Sequence, residues 1–148
     1  MTRTDFQATV DRVEIEALRA EFTDAGMMRD YDRFAALFTV DGVWEMPHIN
    51  VRFAGRQEIR EAIERLQKLW NYFVQNVHPG AVELNGDTAT GRTYVNEFGH
   101  MRDGSSQLNY SLYHDRYERT RAGWRFAERV YEVRYADTSP LAGTAPVS

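Results

Sequence analysis

The chain has 148 residues, of which 43% are hydrophobic and 27% charged, a composition typical of one globular domain that excludes a long disordered polymer. With 18 Lys and Arg against 22 Asp and Glu the net charge is −4, so no broad cationic surface for nucleic acid is expected. The absence of cysteine excludes disulfides, cysteine-bound metals and thiol nucleophiles. No stretch approaches the roughly 18 apolar residues of a membrane span, and we expect a cytoplasmic protein that binds neither membrane nor nucleic acid.

Three helices are predicted in the first half, where apolar residues recur at offsets of three and four. The first covers residues 11–28, with Asp11 as its cap. The second is short and covers residues 31–38, and the third covers about residues 56–70. Between the second and third helices, residues 43–46 are expected to form a short strand.

The hydrophobic pattern changes to strand-like alternation after the third helix. Four long strands are predicted, joined by turns that contain glycine, at about residues 73–84, 88–101, 107–119 and 124–135. Helices grouped before antiparallel strands predict an α+β fold: a cone-shaped α+β barrel in which three N-terminal helices pack on a strongly curved antiparallel sheet. The interior of such a cone is an apolar pocket with few polar groups, of the kind that binds small molecules.

Five short segments carry a likeness to a known family: residues 31–38 (YDRFAALF), 53–56 (FAGR), 85–89 (NGDTA), 113–119 (YHDRYER) and 124–126 (WRF). In this order and spacing they resemble the SnoaL-like branch of the nuclear transport factor 2-like superfamily, and the likeness covers nearly the whole chain. The resemblance implies a cone that binds an apolar or aromatic small molecule. In many members it also implies proton-transfer chemistry without a cofactor, such as dehydration, dehydrohalogenation, isomerisation or cyclisation.

The dehydratase and dehydrochlorinase members of that family use an aspartate near the end of the first helix and a histidine on the first long strand. Counted from the matching segments, the aspartate's position is Met27 and the histidine's is Val74 or Gln75. A thioether cannot hold an imidazole tautomer and an amide cannot accept a proton near neutral pH, so this mechanism is not inherited. The family's tyrosine of the third strand and arginine of the last strand are retained as Tyr113 and Arg129.

Two histidines are candidate general bases, because imidazole titrates near neutral pH. His78 shares strand parity with Val82 and faces the cone if the strand is regular, whereas a bulge at Pro79 would turn it to the outer face. The register leaves both orientations open for His100. His48 lies in a loop that could roof the opening. The alternative for each is a structural histidine on the rim or the surface.

Glu97 is the candidate carboxylate base, since it alternates with Val95 and burial would raise its pKa. A slip of one residue near Gly99 would instead send it to solvent or to a subunit contact. Asp115 and Arg129, on neighbouring strands, are expected to form a buried pair. Such a pair more often fixes strand register than performs chemistry.

The remaining candidate residues are substrate contacts. Tyr113, which we also count among the catalytic candidates, shares one strand face with Asn109 and Ser111, and these three would donate hydrogen bonds to a developing oxyanion. Aromatic and other residues near the expected pocket complete the set, namely Met27, Trp44, Trp70, Phe73, Gln75 and Arg129.

Together these residues predict a small-molecule enzyme, a lyase, isomerase or cyclase that acts on an apolar or aromatic substrate by acid–base chemistry without metal or cofactor. The alternative is a protein of the same fold that binds a ligand or serves as a dimeric scaffold without turnover, which the missing dyad favours. A homodimer is expected through the outer sheet face, which mixes aromatic and polar groups at Tyr94, Asn96, His114 and Tyr117. Residues 138–148 form a tail that, by the family resemblance, covers the pocket mouth.

Overall fold

The cone is built from three helices and one sheet of six strands. A computed structural model describes residues 3–146, and its elements are, in chain order, α1 (Arg3–Met27), α2 (Tyr31–Ala36), β1 (Phe38–Met46), a 3-10 turn (Pro47–Ile49), β2 (Val51–Ala54), α3 (Arg56–Gln67), β3 (Trp70–Asn85), β4 (Thr88–Met101), β5 (Ser106–Thr120) and β6 (Gly123–Asp137). The strand order is β2-β1-β6-β5-β4-β3, and neighbours are antiparallel except β1 and β6, which are parallel. This confirms the predicted α+β fold with N-terminal helices on a curved sheet.

Helix α1 begins at Arg3, well before the start predicted at Asp11. The side chains of its first turns are mostly exposed, so they lack the apolar pattern from which a helix is predicted. Asp11 is buried in the middle of the helix and is not a cap. Its carboxylate accepts hydrogen bonds from Arg119 at 2.7 and 2.9 Å and from the Trp124 indole at 3.1 Å, which fastens α1 to the β5–β6 hairpin.

Helix α2 is shorter than predicted because Phe38 already belongs to β1. Leu37 and Phe38 are both buried in the core, so apolar spacing continues from the helix into the strand without a visible boundary. Asp41-Gly42 lies inside β1, where the register with β6 shifts before Val43. Space is tight at Gly42, because a Cβ on it would lie 3.2 Å from the carbonyl oxygen of Phe126 and the neighbouring backbone would have to shift slightly. The sequence pattern also misses β2, a short edge strand.

The long strands form where they are predicted, and β4 has the predicted bounds. Helix α3 ends at Gln67, so Trp70, predicted to end that helix, instead begins β3. The turn between β3 and β4 contains Gly86 at a φ of 63°, a conformation that favours glycine.

Strand β3 contains a bulge. Its register with β4 shifts between His78 and Ala81, and Gly80 packs against the backbone of Arg92 so closely that a Cβ would lie 1.8 Å from the carbonyl oxygen. Because a bulge adds one residue to one strand, it reverses the faces presented on its two sides. Val82 therefore packs against the core while His78 is exposed on the outer face.

The core lies between the helices and the inner face of the sheet, and aromatic rings dominate it. A buried ion pair crosses it, as predicted: the Arg129 guanidinium lies 2.7 and 3.1 Å from the Asp115 carboxylate. The same guanidinium lies over the rings of Phe22, Tyr113 and Phe126, at 4.3, 4.1 and 4.1 Å from their centroids. In the part of the chain that the structure describes, no helix is long and apolar enough to cross a bilayer.

Candidate active site

A cavity of about 200 Å³ lies between α1, α3 and the inner face of the sheet. Its walls are mainly apolar, and seven Phe, Trp and Tyr rings contribute to them: Phe22, Phe34, Trp44, Trp70, Phe73, Tyr113 and Tyr131. Polar side chains also reach the cavity from several strands. An apolar cavity with a few convergent polar groups is the usual form of a small-molecule site.

Glu97 supplies the carboxyl group in the cavity wall. It lies on β4, directly opposite Gln75 on β3 and Asn109 on β5. The Gln75 amide donates a hydrogen bond to Oε2 at 3.0 Å, and the Tyr131 hydroxyl donates a short one to Oε1. Burial raises the pKa of Glu97, while hydrogen bonds from Tyr131, Gln75 and Asn109 oppose that rise. The strand therefore keeps the register in which this side chain points inward, one of the two possibilities left open by the sequence.

The contact between Gln75 and Glu97 follows from the backbone hydrogen bonding of β3, which is an edge strand of the sheet. The backbone N–H of Gln75 points away from β4 and is bonded to the Met27 sulfur at 3.3 Å. The two facing residues therefore form a non-hydrogen-bonded pair, the kind in which opposite side chains approach most closely. Met27 and Gln75, both predicted substrate contacts, line the cavity through this arrangement.

Tyr113 is buried near the Glu97 carboxyl, and its hydroxyl can still donate a hydrogen bond. The Trp44 indole N–H donates to its hydroxyl oxygen at 3.2 Å, so the hydroxyl proton is available to another acceptor. Both residues line the cavity. Burial, and the nearby Glu97 charge, raise the pKa of Tyr113, so the phenol stays protonated at neutral pH. It is therefore placed to donate to a bound molecule.

Sequence reasoning misses Tyr131, and it considers His48 only as part of a loop that could roof the opening. Tyr131 lies on β6 opposite Tyr113, with ring centroids 5.1 Å apart, and reaches across β5 to Glu97. His48 lies at the mouth of the cavity and packs against the Tyr131 ring at 5.2 Å between centroids. Partial burial lowers the pKa of His48. The shared strand face of residues 127, 129 and 131 is the signal that could have found Tyr131.

The comparisons with known proteins agree with this geometry. The sequence profile of the SnoaL-like domain matches residues 7–130. The chain belongs to the SnoaL-like family. No curated protein matches the sequence of this SnoaL-like chain.

Several solved structures share the fold of this chain at low sequence identity. A hexachlorocyclohexane dehydrochlorinase, LinA type 2, superposes with a TM-score of 0.88 at 19% identity, covering 96% of this chain and 97% of its own. LinA type 3 from Novosphingobium barchaimii gives 0.84 at 22% identity, covering 97% and 99%. A scytalone dehydratase-like protein from Novosphingobium aromaticivorans gives 0.78 at 17% identity, covering 99% and 97%. At these identities the structures establish the shared cone fold.

Both candidate histidines lie outside the cavity of the SnoaL-like cone, in the outward of the two orientations that the sequence left open, so neither is placed to act there as the base. His78 is exposed and its Nε2 lies 2.6 Å from Asn96 Oδ1, because the bulge in β3 turns it outward. His100 stacks on Tyr72 at 5.9 Å, and its Nδ1 lies 2.9 Å from the Asn71 amide. Its strand parity is opposite to that of Glu97, so the two cannot share one face.

The other predicted contacts divide between the cavity and its support. Trp70 and Phe73 line the cavity, and their rings pack at 5.1 Å; Asn109 lines it too. Ser111 and Arg129 are buried but do not line it, so neither is placed to touch a ligand there. Arg129 lies instead behind the cavity wall, where its guanidinium packs against the Tyr113 ring. No cluster of three or more metal-ligating side chains is found within residues 3–146.

Proposed function

We propose that this protein is a cofactor-free acid–base enzyme that takes a proton from a carbon atom of an apolar, ring-shaped molecule, with Glu97 as the base. The observation that carries the proposal is the Glu97 carboxyl group, the one carboxyl that lines the aromatic cavity among residues 3–146, contacted by neutral amides and phenols. Burial among such groups raises the pKa of Glu97 toward the working pH, which makes its ionised form a stronger base.

The proposed proton transfer from the substrate carbon to Glu97 needs no group beyond those of the cavity and the substrate. The substrate C–H bond breaks, its proton goes to Glu97, and the electron pair moves to form a double bond. In a carbonyl compound the charge then develops on the oxygen, where the free proton of the Tyr113 hydroxyl stabilises it. In a substrate with a leaving group on the next carbon, the pair expels that group instead, which gives an elimination. Those isomerases, cyclases and lyases that work by general-base catalysis at carbon share this first step.

The size of the cavity limits the substrate. Its volume of about 200 Å³ lies below the range of about 300–1,000 Å³ typical of pockets for drug-sized ligands. The planar rings of Trp44, Trp70 and Phe73 favour a flat partner. We therefore propose a neutral molecule of one or two rings.

Hydrogen–deuterium exchange in D₂O tests the proposal without knowledge of the natural substrate. Cyclohexanone, 2-cyclohexenone and 1-tetralone are incubated with the protein, and NMR follows deuterium at the carbon next to the carbonyl; chloride release from hexachlorocyclohexane tests elimination. We expect Glu97→Gln to lower the active rate by about 10²–10⁴-fold. Glu83→Gln, an exposed glutamate of β3, is the matched control and should leave the rate unchanged. Exchange that survives in Glu97→Gln would contradict the proposal.

Binding without turnover is the second candidate, and one observation favours it. Met27 and Gln75 occupy the positions of the dyad used by dehydratase and dehydrochlorinase members, and neither side chain carries a proton in catalysis. The same probes discriminate: line broadening or a shift of cavity resonances with no deuterium uptake and no chloride would indicate a binding protein.

Two features outside the cavity are also proposals. The outer sheet face exposes Tyr94, Tyr110 and Tyr135, which supports a homodimer through that face; Tyr117, expected there, is instead buried in the core beside Phe126. The backbone N–H of Leu141 donates to the Ser106 hydroxyl at 3.4 Å, which holds the tail against β5 next to Gln107 of the cavity wall and supports a tail that covers the mouth; residues 147–148 of the predicted tail lie outside the described residues. A cytoplasmic location stays a prediction.

A further inference from the structure

Two polar side chains form a chain of hydrogen bonds that ends on the Glu97 carboxyl. The Thr23 hydroxyl, on α1, donates to Gln75 Oε1 at 2.7 Å. The same amide then donates through Nε2 to Glu97 Oε2 at 3.0 Å. All three residues line the cavity, and the contacts run from the helical layer through the edge strand β3 to β4.

The direction of these bonds sets the orientation of the amide. A carboxylate only accepts hydrogen bonds, so the amide must present its NH₂ group to Glu97 and its oxygen to the other side. Thr23 supplies the hydroxyl donor that this oxygen needs. Rotation of the amide by half a turn would place its oxygen against the Glu97 carboxylate and would require the Thr23 hydroxyl to accept from the NH₂ group instead of donating.

The same contacts limit where a proton can be taken up. An ionised carboxylate has about four acceptor positions. Gln75 occupies one on Oε2, the Tyr131 hydroxyl occupies one on Oε1, and the Asn109 amide also lowers the pKa by hydrogen bonding. With these partners in place, few directions remain for a substrate proton.

We infer that Thr23 and Gln75 are positioning residues: the threonine holds the glutamine amide in place by its oxygen, and the amide holds Glu97 Oε2, so that the carboxyl presents one orientation to the cavity. This inference rests on the proposed function, because the orientation matters only if Glu97 accepts the proton. Gln75 then holds the base and does not itself accept a proton.

The groups that face Glu97 explain why loss of the Gln75 amide should change the pKa of Glu97 strongly. Strand β3 contributes Gln75, β5 contributes Asn109 and Tyr113, and β6 contributes Tyr131. Helix α1 contributes Thr23 behind the amide, and His48 lies on the far side of the Tyr131 ring. Gln75, Asn109 and both tyrosines are uncharged at neutral pH, so the negative charge of Glu97 depends on hydrogen bonds for its stabilisation.

The test is a carboxyl-carbon NMR titration of the full-length protein labelled with ¹³C in Glu and Gln side chains. The Glu97 signal is assigned by its loss in Glu97→Gln. Gln75→Met keeps the length of the side chain and removes the donor, and we expect it to raise the pKa of Glu97 by about one to two pH units. Thr23→Val should raise it by less, because it leaves the amide donor in place but removes the hydroxyl that holds the amide oxygen, so the amide occupies its position on the carboxyl less firmly. Thr23→Ser should behave as the wild type.

Control variants separate positioning from general damage. Gln57→Leu and Thr9→Val remove the same groups from exposed sites on α3 and α1, and neither should move the Glu97 signal. In exchange assays Gln75→Met should lower kcat, leave KM unchanged, and shift the acid limb of the pH profile upward. A Glu97 pKa that does not change in folded Gln75→Met or Thr23→Val overturns the inference.

The titration needs no substrate, so the two proposals fail separately. If no probe exchanges or eliminates while the pKa responds to Gln75→Met, the proposed enzyme is wrong, and the hydrogen-bond chain remains as a feature of the binding site without a catalytic role. If Glu97→Gln abolishes exchange and Gln75→Met leaves both pKa and rate unchanged, the inference alone is wrong.

Discussion

The Tyr131 hydroxyl donates a short hydrogen bond to Oε1 of Glu97 from a strand that is not its neighbour in the sheet. The tyrosine lies on β6 and the glutamate on β4, with β5 between them. The phenol spans that gap over the inner face, which is possible only because the sheet is curved and the side chains converge. The base of the proposed reaction is thus held by residues from three strands, β3, β5 and β6.

Removal of the Tyr131 hydroxyl should raise the pKa of Glu97. Tyr131→Phe keeps the ring against His48 and Tyr113 and deletes the donor. The hydrogen bond lowers the pKa of Glu97, so its loss should raise that pKa further, by about one to two pH units. Activity that requires the ionised carboxylate should then fall on acidification at a higher pH in the variant than in the wild type. The pH profile of kcat/KM checks this.

Tyr110→Phe is the matched control, because Tyr110 is exposed on the outer sheet face. Its pH profile should overlay that of the wild type. A Tyr131→Phe profile with an acid limb unmoved, or moved to lower pH, contradicts the assignment of Tyr131 as a donor to the base.

The ion pair between Asp11 and Arg119 should make stability depend on acid pH. Hydrogen bonds from Arg119 and other donors lower the pKa of Asp11 from 3.8 to about 2. Because the folded-state pKa is the lower one, the stabilisation is present above the unfolded pKa and is lost as pH falls from near 4 to near 2. Asp11→Asn should cost about 1–2 kcal/mol in the free energy of unfolding at pH 7.

Urea denaturation of both proteins between pH 2 and 7 measures that difference. The difference should shrink toward the acid end, where the wild-type carboxyl is also protonated. Asp87→Asn, at the exposed partner of the same arginine, should have a smaller effect. A difference that stays constant across this range would show that the charge of Asp11 does not contribute.

The buried pair of Arg129 and Asp115 should be costly to break. Arg129→Met leaves the Asp115 carboxylate with Thr93 and Tyr117 as donors but without its counter-charge. We expect a loss of about 3–5 kcal/mol in the free energy of unfolding, measured by urea denaturation. Arg116→Met, in an exposed pair with Glu128, is the control and should change it by less than about 1 kcal/mol. Equal losses in the two variants would contradict a buried charge effect.

The fold could be predicted from sequence because its signals are local. Helical spacing over α1 and α3, alternation over β3 to β6 and glycine at the hairpin turns each act within a few residues. The errors occur where a residue serves a distant partner. Asp11 has the form of a helix cap but binds Arg119, and Trp70 continues the helical stripe but begins β3 because Gly99 on β4 leaves room for its ring.

The site could be predicted only in part, because it depends on strand register across the whole sheet. The bulge at Gly80 decides the orientation of His78, and alternation alone cannot show it. Glu97 and Gln75 could both be named, but their contact follows from a pairing that no local pattern reveals. Tyr131 is missed because the sequence pattern of a buried strand tyrosine is the same whether or not its hydroxyl is bonded to a carboxyl group.

The hydrogen bond from Trp44 to Tyr113 should affect turnover more than binding. The indole donates to the phenol oxygen, which strengthens the phenol as a donor to a developing oxyanion. Trp44→Phe keeps an aromatic wall and removes the indole donor, so we expect kcat in the exchange assay to fall by about 10-fold with little change in KM. Trp124→Phe removes an indole donor from Asp11 instead. It should lower the free energy of unfolding but not kcat, and equal kcat losses in both variants would mean that the Trp44 effect is only structural.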